Sequence, residues 1–440
     1  MTELRDFVSD REVEALFRPT ARAEGLPARA FGAEFYRLEQ ERLFPRAWCA
    51  VGVASRIPEA GDAMPVDLAG WPLMLVRQRD GSVAAFHNVC RHRGMRLLSE
   101  PCRGRSTLRC PWHSWTYDLA GRLVATPDLG GDRVKTAEGF DNAELGLKGV
   151  RLAQWHDYLF VNIDGKAPAF ADYIRPFDEF VAGYDLSVMR HAGHWEGAYP
   201  SNWKIAVEGA IEDYHLPWGH PELMQGVAVR NGRVDVGEDC FAAISGRFEY
   251  PAGQGPKIAR LMAAMPRMPM TPPAEPDRYF IINLFPVGLI ALRADTVMLG
   301  LMTPDGHDRT RLVFDHYFVG EAATDPAHAQ HRQEMMDNLR FVAEQDIRFN
   351  KGVQSNLATR DRLDFPTRFS PYWEGAIHHF QKLVVETLRG DARQKAKRPA
   401  AKRSAAKTPA EGARRRAAAL GAKRAPAHRR VRAKKPAKRR

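Results

Sequence analysis

The sequence lacks the features that mark a membrane-spanning, secreted or disulfide-stabilised protein. Its longest strongly apolar run, residues 279–292, has 14 residues and contains Pro286 and Gly288, whereas a membrane-spanning helix needs about 20. The first ten residues show neither the apolar stretch nor the cleavage site of a secretory signal. The five cysteines are an odd number in a chain of 440 residues, which argues against a disulfide framework and favours metal ligation. We therefore expect a cytoplasmic protein with no membrane segment.

Acidic residues are nearly absent from the last 50 positions, and this divides the chain by charge. Residues 391–440 hold 20 Lys and Arg against two acidic residues, Asp391 and Glu411, which gives a formal charge of +18. The first 390 residues hold 45 basic and 51 acidic groups, a balance of −6. The tail also lacks aromatic residues and is rich in Lys, Arg, Ala and Pro, a composition typical of a disordered segment. The net charge of +12 therefore describes the tail and not the globular body.

The pattern of the chain predicts an α+β protein in four parts. Helical patterns over residues 1–44 are followed by short β-like runs with turn signals over 45–165. Residues 166–390 mix helices and strands, and residues 391–440 form the tail. The elements predicted within 166–390 include helices at 202–215, 324–350 and 372–389, and strands at 279–293, 296–303 and 310–319. A stretch rich in Pro and Met at 251–277 predicts a loop.

Two short motifs each pair a cysteine with a histidine. CRHRG contains Cys90 and His92, and CPWHSW contains Cys110 and His113, each on a turn between β-like runs. Two thiolates on one iron and two imidazoles on the other are the ligand set of a [2Fe–2S] cluster with a raised reduction potential. A structural zinc site also accepts two cysteines and two histidines, but zinc fingers usually pair Cys with Cys and His with His. The mixed pairs favour the cluster, with zinc as the alternative.

A second group of candidate ligands lies in the segment EGAIEDYHLPWGHP. Glu212 and His215 are three residues apart and are predicted on one face of a helix. His215 and His220 are five apart, which on an unbroken helix is about 140°, so the two could not share a metal there. Pro217 and Gly219 lie between them and predict a helix end or kink that brings His220 inward.

A carboxylate would complete this second group. Two histidines and one carboxylate form the facial triad of non-haem iron(II) oxygenases, which leaves coordination positions open for dioxygen. The best candidate is Asp346 on the predicted helix at 324–350, and Glu344 is the second candidate. The other interpretation is that these residues are ordinary polar groups of the surface or core, and the redox cluster predicted upstream argues against it.

With both groups in order along the chain, residues 30–388 resemble the α-subunits of Rieske non-haem iron oxygenases, also called aromatic-ring-hydroxylating dioxygenase large subunits. The resemblance rests on the entry segment with Phe44 and Trp48, CRHRG, CPWHSWTYDLAG, NWK at 202–204, EDYHLPWGHP and SPYWEGAIHHF at 370–380. Two independent metal motifs in the family's order make the resemblance specific.

The resemblance implies the ligands of both metal centres. One iron of a [2Fe–2S] cluster would be bound by Cys90 and Cys110, and the other iron by His92 and His113. A mononuclear iron would be held by His215, His220 and Asp346. Glu212, the acidic residue three positions before the first histidine, would be the catalytic bridge between the two sites by hydrogen bonds.

The resemblance also implies the architecture, the partners and the reaction. A β-rich Rieske domain at 45–165 would join a helix-grip catalytic domain at 166–390, an antiparallel sheet with helices, and the segment 1–44 would pack on that domain. The subunits would form a homotrimer in which the cluster of one subunit reduces the mononuclear iron of its neighbour. An NAD(P)H-dependent reductase, with or without a ferredoxin, would supply electrons, and O2 would be used to hydroxylate a small organic substrate.

Two positions depart from the commonest family pattern. Many members have Gly after the second cluster histidine, where this chain has Ser114, and we expect only a small local effect. Ring-hydroxylating members usually have Asp at the bridge, whereas Glu212 resembles the carnitine- and betaine-type oxygenases that act on quaternary ammonium compounds. The substrate is therefore left open between an arene, as in aromatic hydrocarbon catabolism, and a quaternary amine whose C–N bond is cleaved.

The basic tail supports an alternative from a different functional class. It resembles the Ala/Lys/Pro-rich tails of nucleoid-associated proteins, and a charge of +18 over 50 residues predicts salt-dependent binding to nucleic acid or another polyanion with little sequence preference. On this hypothesis the chain is a nucleic-acid-associated redox or structural protein. The completeness of both predicted iron sites argues against an inactive scaffold.

Overall fold

The computed structural model describes residues 3–224, 229–249, 261 and 264–390. All of them belong to one contact unit, Met1–Ala396. The tail at 391–440 and residues 250–260 of the Pro- and Met-rich stretch lie outside the described residues, while residues 264–277 form turns without a long element. Among the helices described, none is long and apolar enough to cross a bilayer.

The N-terminal segment is helical, as predicted, and it ends in the core. Helix α1 spans Asp10–Leu16, and helix α2 spans Ala33–Arg42. Ser9 caps α1 by accepting the N–H of Glu12, whose carboxylate accepts the N–H of Ser9 in return. Phe35 of α2 is fully buried in a core cluster that also contains side chains of the C-terminal helix.

Residues 49–162 form the first β-rich part. A six-stranded antiparallel sheet has the order β1-β9-β8-β4-β3-β2, and a small sheet has the order β5-β6-β7. The strands of this part are β1 Cys49–Val53, β2 Ala63–Leu68, β3 Trp71–Arg77, β4 Val83–His87, β5 Thr107–Arg109, β6 Thr116–Asp118, β7 Leu123–Ala125, β8 Gly149–Trp155 and β9 Tyr158–Asn162. The CRHRG loop follows β4, and the CPWHSW loop joins β5 to β6, so both motifs lie on turns as predicted.

The second sheet has seven antiparallel strands in the order β10-β16-β15-β14-β13-β12-β11. Its strands are β10 Met189–Tyr199, β11 Val229–Glu238, β12 Phe241–Glu249, β13 Arg278–Leu284, β14 Gly288–Leu292, β15 Thr296–Pro304 and β16 Thr310–Val319. The single strand predicted at 279–293 is wrong, because a turn at 285–287 divides it into the hairpin β13–β14. The side-chain amide of Asn283 stabilises that turn by donating to the carbonyls of Pro286 and Gly288.

Helices cover this second sheet and supply the residues discussed below. They are α3 Phe170–Val181, α4 Trp203–Ala210, α5 Leu216–Gly219, α6 Pro221–Met224, α7 Ala329–Gln345, α8 Ile347–Ser355, α9 Leu357–Leu363 and α10 Gly375–Arg389. Helix α3 packs Phe177 into a core cluster with Trp155 of the first sheet and Phe241 of the second, so the two β parts share buried surface. The predicted α+β class with antiparallel sheets is confirmed.

Candidate metal centres

The two Cys–His loops have the same backbone conformation. The N–H of Cys90 donates to the carbonyl of Met95 at 2.8 Å, and the N–H of Cys110 donates to the carbonyl of Trp115 at 2.9 Å. Each cysteine carbonyl also accepts the N–H four residues on, from Gly94 in one loop and Ser114 in the other. Two equivalent turns can therefore present their side chains to one centre from opposite sides.

Ser114 shows why glycine is common at its position. Its φ is 58°, in the left-handed region, as is the φ of 75° at Gly94 in the other loop. An L-residue there costs roughly 1–2 kcal/mol. The Ser114 hydroxyl compensates in part by accepting from the guanidinium of Arg109 at 2.7 Å, which agrees with the small local effect expected.

The loops bury the thiols and leave the imidazoles near the surface. Cys90 and Cys110 are each 2% exposed, whereas His92 is exposed and His113 is half-buried. The two imidazole centroids are 4.6 Å apart, and the ring of His92 stacks on Trp115 at 4.7 Å. The histidine side of the centre is thus the side that an external electron donor could approach.

Hydrogen bonds and burial prepare Cys90 for a positively charged partner. Burial raises the pKa of the Cys90 thiol, and the neighbouring Cys110 acts in the same direction. The hydroxyl of Tyr117 lies 3.3 Å from the Cys90 sulfur and accepts the N–H of Arg91, which leaves the hydroxyl proton free to donate to a thiolate. A buried thiolate here needs a cation to stabilise it, as an iron centre would.

The spacing of these four side chains fits a cluster better than a single zinc ion. Ligands of one tetrahedral zinc lie within about 4 Å of one another, given metal–ligand distances of about 2.0–2.3 Å. In the part of the chain that is described, another group brings three His, Cys, Asp or Glu ligand atoms all within 4.8 Å of one another, whereas no three of these four side chains do so. The buried Nδ1 of His113 has no hydrogen-bond partner among the described residues and is available as a ligand. The donor set thus fits a two-iron core that holds its ligands apart.

That other group is His215, His220 and Asp346. The Nε2 atoms of the two histidines are 3.1 Å apart, and the Asp346 carboxylate lies 3.0 Å from Nε2 of His220 and 3.6 Å from Nε2 of His215. His220 is 1% exposed, and the side chains of His215 and Asp346 are 22% and 20% exposed. Two imidazoles and one carboxylate converge on one point, which is the donor set of a mononuclear non-haem iron.

The backbone reaches this geometry differently from the sequence prediction. Helix α4 ends at Ala210, so the predicted helix at 202–215 is wrong in its last turn, and Glu212 and His215 lie on a turn. His215 is the N-cap and His220 the C-cap of the one-turn helix α5. Pro217 is the second residue of α5, so it lies at the start of this helix and does not end one. The helix does end after Gly219, and this agrees with the helix end expected between the two histidines.

The predicted helix at 324–350 is also interrupted, and the interruption falls on the ligand. Asp346 separates α7 from α8 and belongs to both as a cap. Glu344, the second candidate, forms an exposed pair with Arg340 one turn away on α7 at 2.9 Å. The structure therefore brings Asp346 to the histidines and leaves Glu344 outside the group.

Glu212 adjoins the first histidine. One of its carboxylate oxygens contacts Nδ1 of His215, and the other accepts the backbone N–H groups of Tyr214 and His215. Burial alone would lower the pKa of His215, but the hydrogen bond and charge of Glu212 outweigh it and raise that pKa. The carboxylate fixes which nitrogen of His215 faces the metal position, since Nδ1 is engaged and Nε2 is left free.

Gln345 is a residue of the site that the sequence did not reveal. Its side-chain oxygen accepts from Nδ1 of His220 at 2.8 Å, so both histidines are oriented through Nδ1 and both offer Nε2. Asp213, the neighbour of Glu212 in the sequence, also lies at the site. It is 2% exposed and accepts from Arg233 at 2.6 Å and from the hydroxyl of Tyr279 at 2.7 Å. In the sequence, the only indication of either residue is that it lies next to a candidate carboxylate, Gln345 beside Asp346 and Asp213 beside Glu212.

Gly219 provides the space that His215 occupies. A Cβ at this position would lie 2.9 Å from Cδ2 of His215 and 3.1 Å from the Phe349 ring, closer than packed side chains allow. We expect Gly219→Ala to displace the His215 ring and to lower iron occupancy roughly 10-fold, with a loss of about 1–3 kcal/mol in stability. Metal analysis and thermal unfolding would measure the two effects.

Gly352→Ala is the matched control for that prediction. A Cβ on Gly352 of α8 would meet no atom within 4 Å, and alanine favours a helix over glycine. We expect this variant to keep its iron and its stability. Full iron occupancy in Gly219→Ala would show that the close packing around His215 is not needed for metal binding.

A cavity of about 450 Å³ opens on the ligand group. The surface of its wall is largely apolar, and it includes Ile281, Ala291 and Met298 from the second sheet and Leu339 and Val342 from α7. This size suits a small organic molecule. The metal position is therefore placed at one wall of a substrate-sized, largely apolar chamber.

A quaternary ammonium group is typically bound by an aromatic cage, for which the sequence offers Phe280, Phe285, Tyr317 and Trp218 as candidates. Of these, only Phe280 lines this cavity. Phe285 is buried in the core beside Phe380, and Tyr317 donates to Asp157 beside a different cavity. Trp218 is 69% exposed. The described wall therefore contains Phe280 and Tyr279 but no full aromatic cage.

Family models match two parts of the chain. The model of the Rieske [2Fe–2S] domain matches residues 47–138, and the model of the ring hydroxylating α-subunit catalytic domain matches residues 186–390. The two models come in the order expected from the motifs. Each contains one of the two groups of candidate ligands described above.

Several curated proteins are similar in sequence. The glycine betaine monooxygenase oxygenase subunit of Chromohalobacter salexigens is 36% identical over 190 residues, 43% of this chain and 41% of that protein. The biphenyl dioxygenase α-subunit of Paraburkholderia xenovorans is 36% identical over 188 residues, 41% of each chain. The carnitine monooxygenase oxygenase subunit of Escherichia coli K12 is 26% identical over 379 residues, 83% of this chain and 94% of that protein. The matches to the first two relatives thus span about two fifths of their length.

A solved structure shows the same fold. A quaternary ammonium Rieske monooxygenase in complex with an inhibitor superposes with a TM-score of 0.70 at 21% identity, over 85% of this chain and 98% of that chain. At this identity the similarity concerns the fold, including the arrangement of the two β parts.

Proposed function

Because the chain belongs to the family of Rieske non-haem iron oxygenase α-subunits, we propose that it is the terminal component of an oxygenase that uses O2 and reductase-derived electrons to hydroxylate a small organic substrate. The observation that carries this proposal is the convergence of His215, His220 and Asp346 at the wall of an apolar cavity. These three residues would hold a mononuclear iron at the cavity wall, where it would supply the activation of dioxygen beside the substrate.

The residues of the chain would have distinct tasks. Cys90, Cys110, His92 and His113 would hold a [2Fe–2S] cluster, and His215, His220 and Asp346 a mononuclear iron(II). When bound, these groups supply single electrons and the activation of dioxygen. Glu212 would orient His215 and connect it to the cluster's histidines, and the aliphatic wall would exclude bulk water from the reacting carbon.

Two substrate types follow from the relatives, a quaternary amine or an arene. Glycine betaine and carnitine monooxygenases are among the relatives, and Glu212 resembles the acidic bridge of such enzymes. Biphenyl dioxygenase is also a relative, and the aliphatic cavity wall suits an aromatic ring. We propose the quaternary amine first, because the relative matched over 94% of its length is a carnitine monooxygenase subunit. Hydroxylation of a carbon next to nitrogen then releases an aldehyde and the matching amine, whereas an arene gives a phenol or a cis-diol.

A homotrimer is part of this proposal. Met95 and Trp112 on the cluster loops are 38% and 53% exposed, and Tyr214, Trp218 and Tyr372 near Glu212 are 42%, 69% and 56% exposed. Large apolar side chains exposed around both sites favour a protein interface. Docking the cluster loops of one subunit beside Glu212 of the next would cover both patches and would complete the electron path.

The electron donor would be an NAD(P)H-dependent reductase or a ferredoxin that approaches the exposed histidine side of the cluster. All five cysteines of the chain lie in its described part and are unpaired, as is usual in a reducing compartment. We therefore propose that the protein works in the cytoplasm.

A single-turnover experiment tests the reaction without the unknown reductase. Iron-loaded protein is reduced chemically, freed of reductant and mixed with O2 and a panel of quaternary amines and aromatic acids, and the products are identified by mass spectrometry. An aldehyde with the matching amine establishes C–N cleavage, and a hydroxylated ring assigns the protein to the arene oxygenases. Reoxidation of both centres without any oxygenated product across a broad panel contradicts the proposed function.

We also propose that the tail binds polyanions, on the basis of its charge of +18 over residues 391–440. We expect the full chain to be retained on heparin or duplex DNA with a steep salt dependence, and a chain ending at Gly390 to elute at much lower salt. Turnover should be unchanged, because both candidate metal sites precede the tail. Equal retention of the two proteins would contradict a polyanion-binding role, and loss of turnover would assign the tail to the oxygenase itself.

A further inference from the structure

One end of the cavity is polar, and the pairing of the strands places this end at the β14–β15 hairpin. Ile281, Ala291 and Met298 are direct cross-strand neighbours on β13, β14 and β15. Arg293 follows Ala291 by two residues on the same face, and its N–H donates to the carbonyl of Thr296 at 3.0 Å to close the β14–β15 hairpin. Two strand residues correspond to about 7 Å, so Arg293 and Thr296 line the cavity one step beyond its aliphatic wall.

The guanidinium of Arg293 is held at one edge and open at the other. Among the described residues, its hydrogen-bond partner is Asp295, which accepts from Nε at 3.4 Å. The Asp295 side chain is 3% exposed and that of Arg293 is 24% exposed. A buried carboxylate behind Nε orients the side chain, and the two terminal nitrogens are left as a planar pair of donors. This is the fork that matches a carboxylate in two parallel hydrogen bonds.

The other strongly charged groups of the wall already have partners. Asp213 is bound by Arg233 and Tyr279. Arg267 pairs with Asp277 at 3.1 Å, and these side chains are 43% and 67% exposed, which places them at the solvent side of the cavity. Arg293 is therefore the partly buried cation in the described wall whose terminal donors are free for a ligand.

Asn338 places a second polar group at the same end. It lines the cavity from α7, and its buried side-chain oxygen has no hydrogen-bond partner in the described part of the chain. Met335, one turn earlier, packs in one cluster with Phe318, which is the strand neighbour of Thr296. Asn338 lies eight positions before Asp346, about 12 Å along the helix axis. Since the amide can present either its oxygen or its nitrogen, it can donate beside Arg293.

We infer that Arg293 is the specificity-determining residue that binds a carboxylate group of the substrate, with the amide of Asn338 beside it. The inference rests on the proposed function in one respect, which is that the molecule bound in the cavity is the substrate to be oxygenated. The substrate would then be a small anion or zwitterion, with its carboxylate at the Arg293 end and its oxidisable carbon toward His215, His220 and Asp346. A neutral hydrocarbon or a cation without a carboxylate would leave the partly buried guanidinium fork without a partner in the cavity.

Binding measured without oxygen tests this inference separately from catalysis. Anaerobic, reduced, iron-loaded protein is titrated by calorimetry with two matched pairs of probes, 4-(trimethylammonio)butyrate and its primary amide, and benzoate and benzamide. For at least one pair we expect the carboxylate to bind at least 10-fold more tightly than the amide. In Arg293→Gln the carboxylate should lose about 10- to 100-fold in affinity, as expected for a charge-assisted pair, while the amide should change less than about threefold.

Two further variants complete the design. Arg293→Lys keeps the charge but loses the fork, so it should recover part of the carboxylate affinity, and it serves if Arg293→Gln folds poorly. Arg267→Gln removes the cation at the solvent side and should change neither affinity more than about threefold. The inference is overturned if Arg293→Gln or Arg293→Lys binds the carboxylates as the unchanged protein does, if the unchanged protein shows no carboxylate preference, or if neither carboxylate binds. Carboxylate-selective binding without any product on admission of O2 would instead overturn the proposed function alone.

Discussion

Asp346→Ala should abolish turnover and iron binding at the second site while leaving the cluster intact. The carboxylate lies 3.0 Å and 3.6 Å from Nε2 of His220 and His215, and it is the anionic member of the group. Without it, two neutral imidazoles remain, which hold iron(II) much more weakly. We expect mononuclear iron to fall to a small fraction of one per chain and turnover to fall by at least about 100-fold.

Glu344→Ala is the matched control, because it removes a carboxylate two residues away from the same helix. Glu344 pairs with Arg340 on the exposed side of α7, and an exposed pair of this kind contributes roughly 0.3–0.5 kcal/mol. Iron content, the visible spectrum of the cluster and turnover should all be unchanged. If Asp346→Ala kept its iron, or if Glu344→Ala lost it, the assignment of the third ligand would be wrong.

Glu212→Gln should separate metal loading from catalysis. The side chain keeps its size, and its single amide oxygen can still accept either from Nδ1 of His215 or from the backbone N–H groups of the turn, which the two carboxylate oxygens of Glu212 serve separately. None of the metal ligands is changed, so both metal centres should load. The negative charge that raises the pKa of His215 is lost, and so is the carboxylate proposed to connect the two centres. We expect steady-state turnover to fall by about 100-fold or more, with the cluster spectrum and iron content preserved.

Glu212→Asp distinguishes charge from side-chain length. It restores the carboxylate, and ring-hydroxylating members of the family usually carry Asp at this position, so we expect a substantial recovery of turnover. Rapid reduction of the cluster in Glu212→Gln, followed by slow oxidation in the presence of O2 and substrate, would locate the block after the cluster. Turnover of Glu212→Gln at the level of the unchanged protein would exclude the bridge.

The sequence indicates candidate metal ligands more readily than it indicates the backbone that positions them. Cys–His pairs and the His–His–Asp set are visible because few residue types ligate iron. The end of α4 before Glu212 cannot be predicted from the sequence, because it depends on side chains that bind backbone N–H groups in place of the helical hydrogen bonds. Glu212 takes the N–H groups of Tyr214 and His215, and Asp213 is drawn to the distant Arg233. Gly209 lies in the last turn of α4, but no Gly or Pro follows at positions 211–216 to mark the end.

The break at Asp346 shows the same limit. Residues 344–349 contain no helix breaker, and α7 and α8 read as one helix in sequence. Arg293 was not predicted as a site residue either, because an Arg at a hairpin end is usually a solvent-facing charge. Its significance depends on the cavity that β14, β15 and α7 enclose, which arises only from tertiary packing.

The three ligands of the second site have a topological consequence. His220 and its neighbours come from the connection between α4 and β11, and Asp346 from the junction of α7 and α8, 126 residues after His220. An iron bound by both His220 and Asp346 would link the two ends of this stretch of chain, which contains most of the second sheet, into a closed loop. Because metal binding is reversible, loss of the iron would open that loop. Helix α7 forms part of the cavity wall, and Asp346 at its C-terminal end is one of the ligands that would close the loop. Metal occupancy and the shape of the substrate chamber would thus be thermodynamically coupled. The chamber would be most rigid when iron is bound and the enzyme is ready to react.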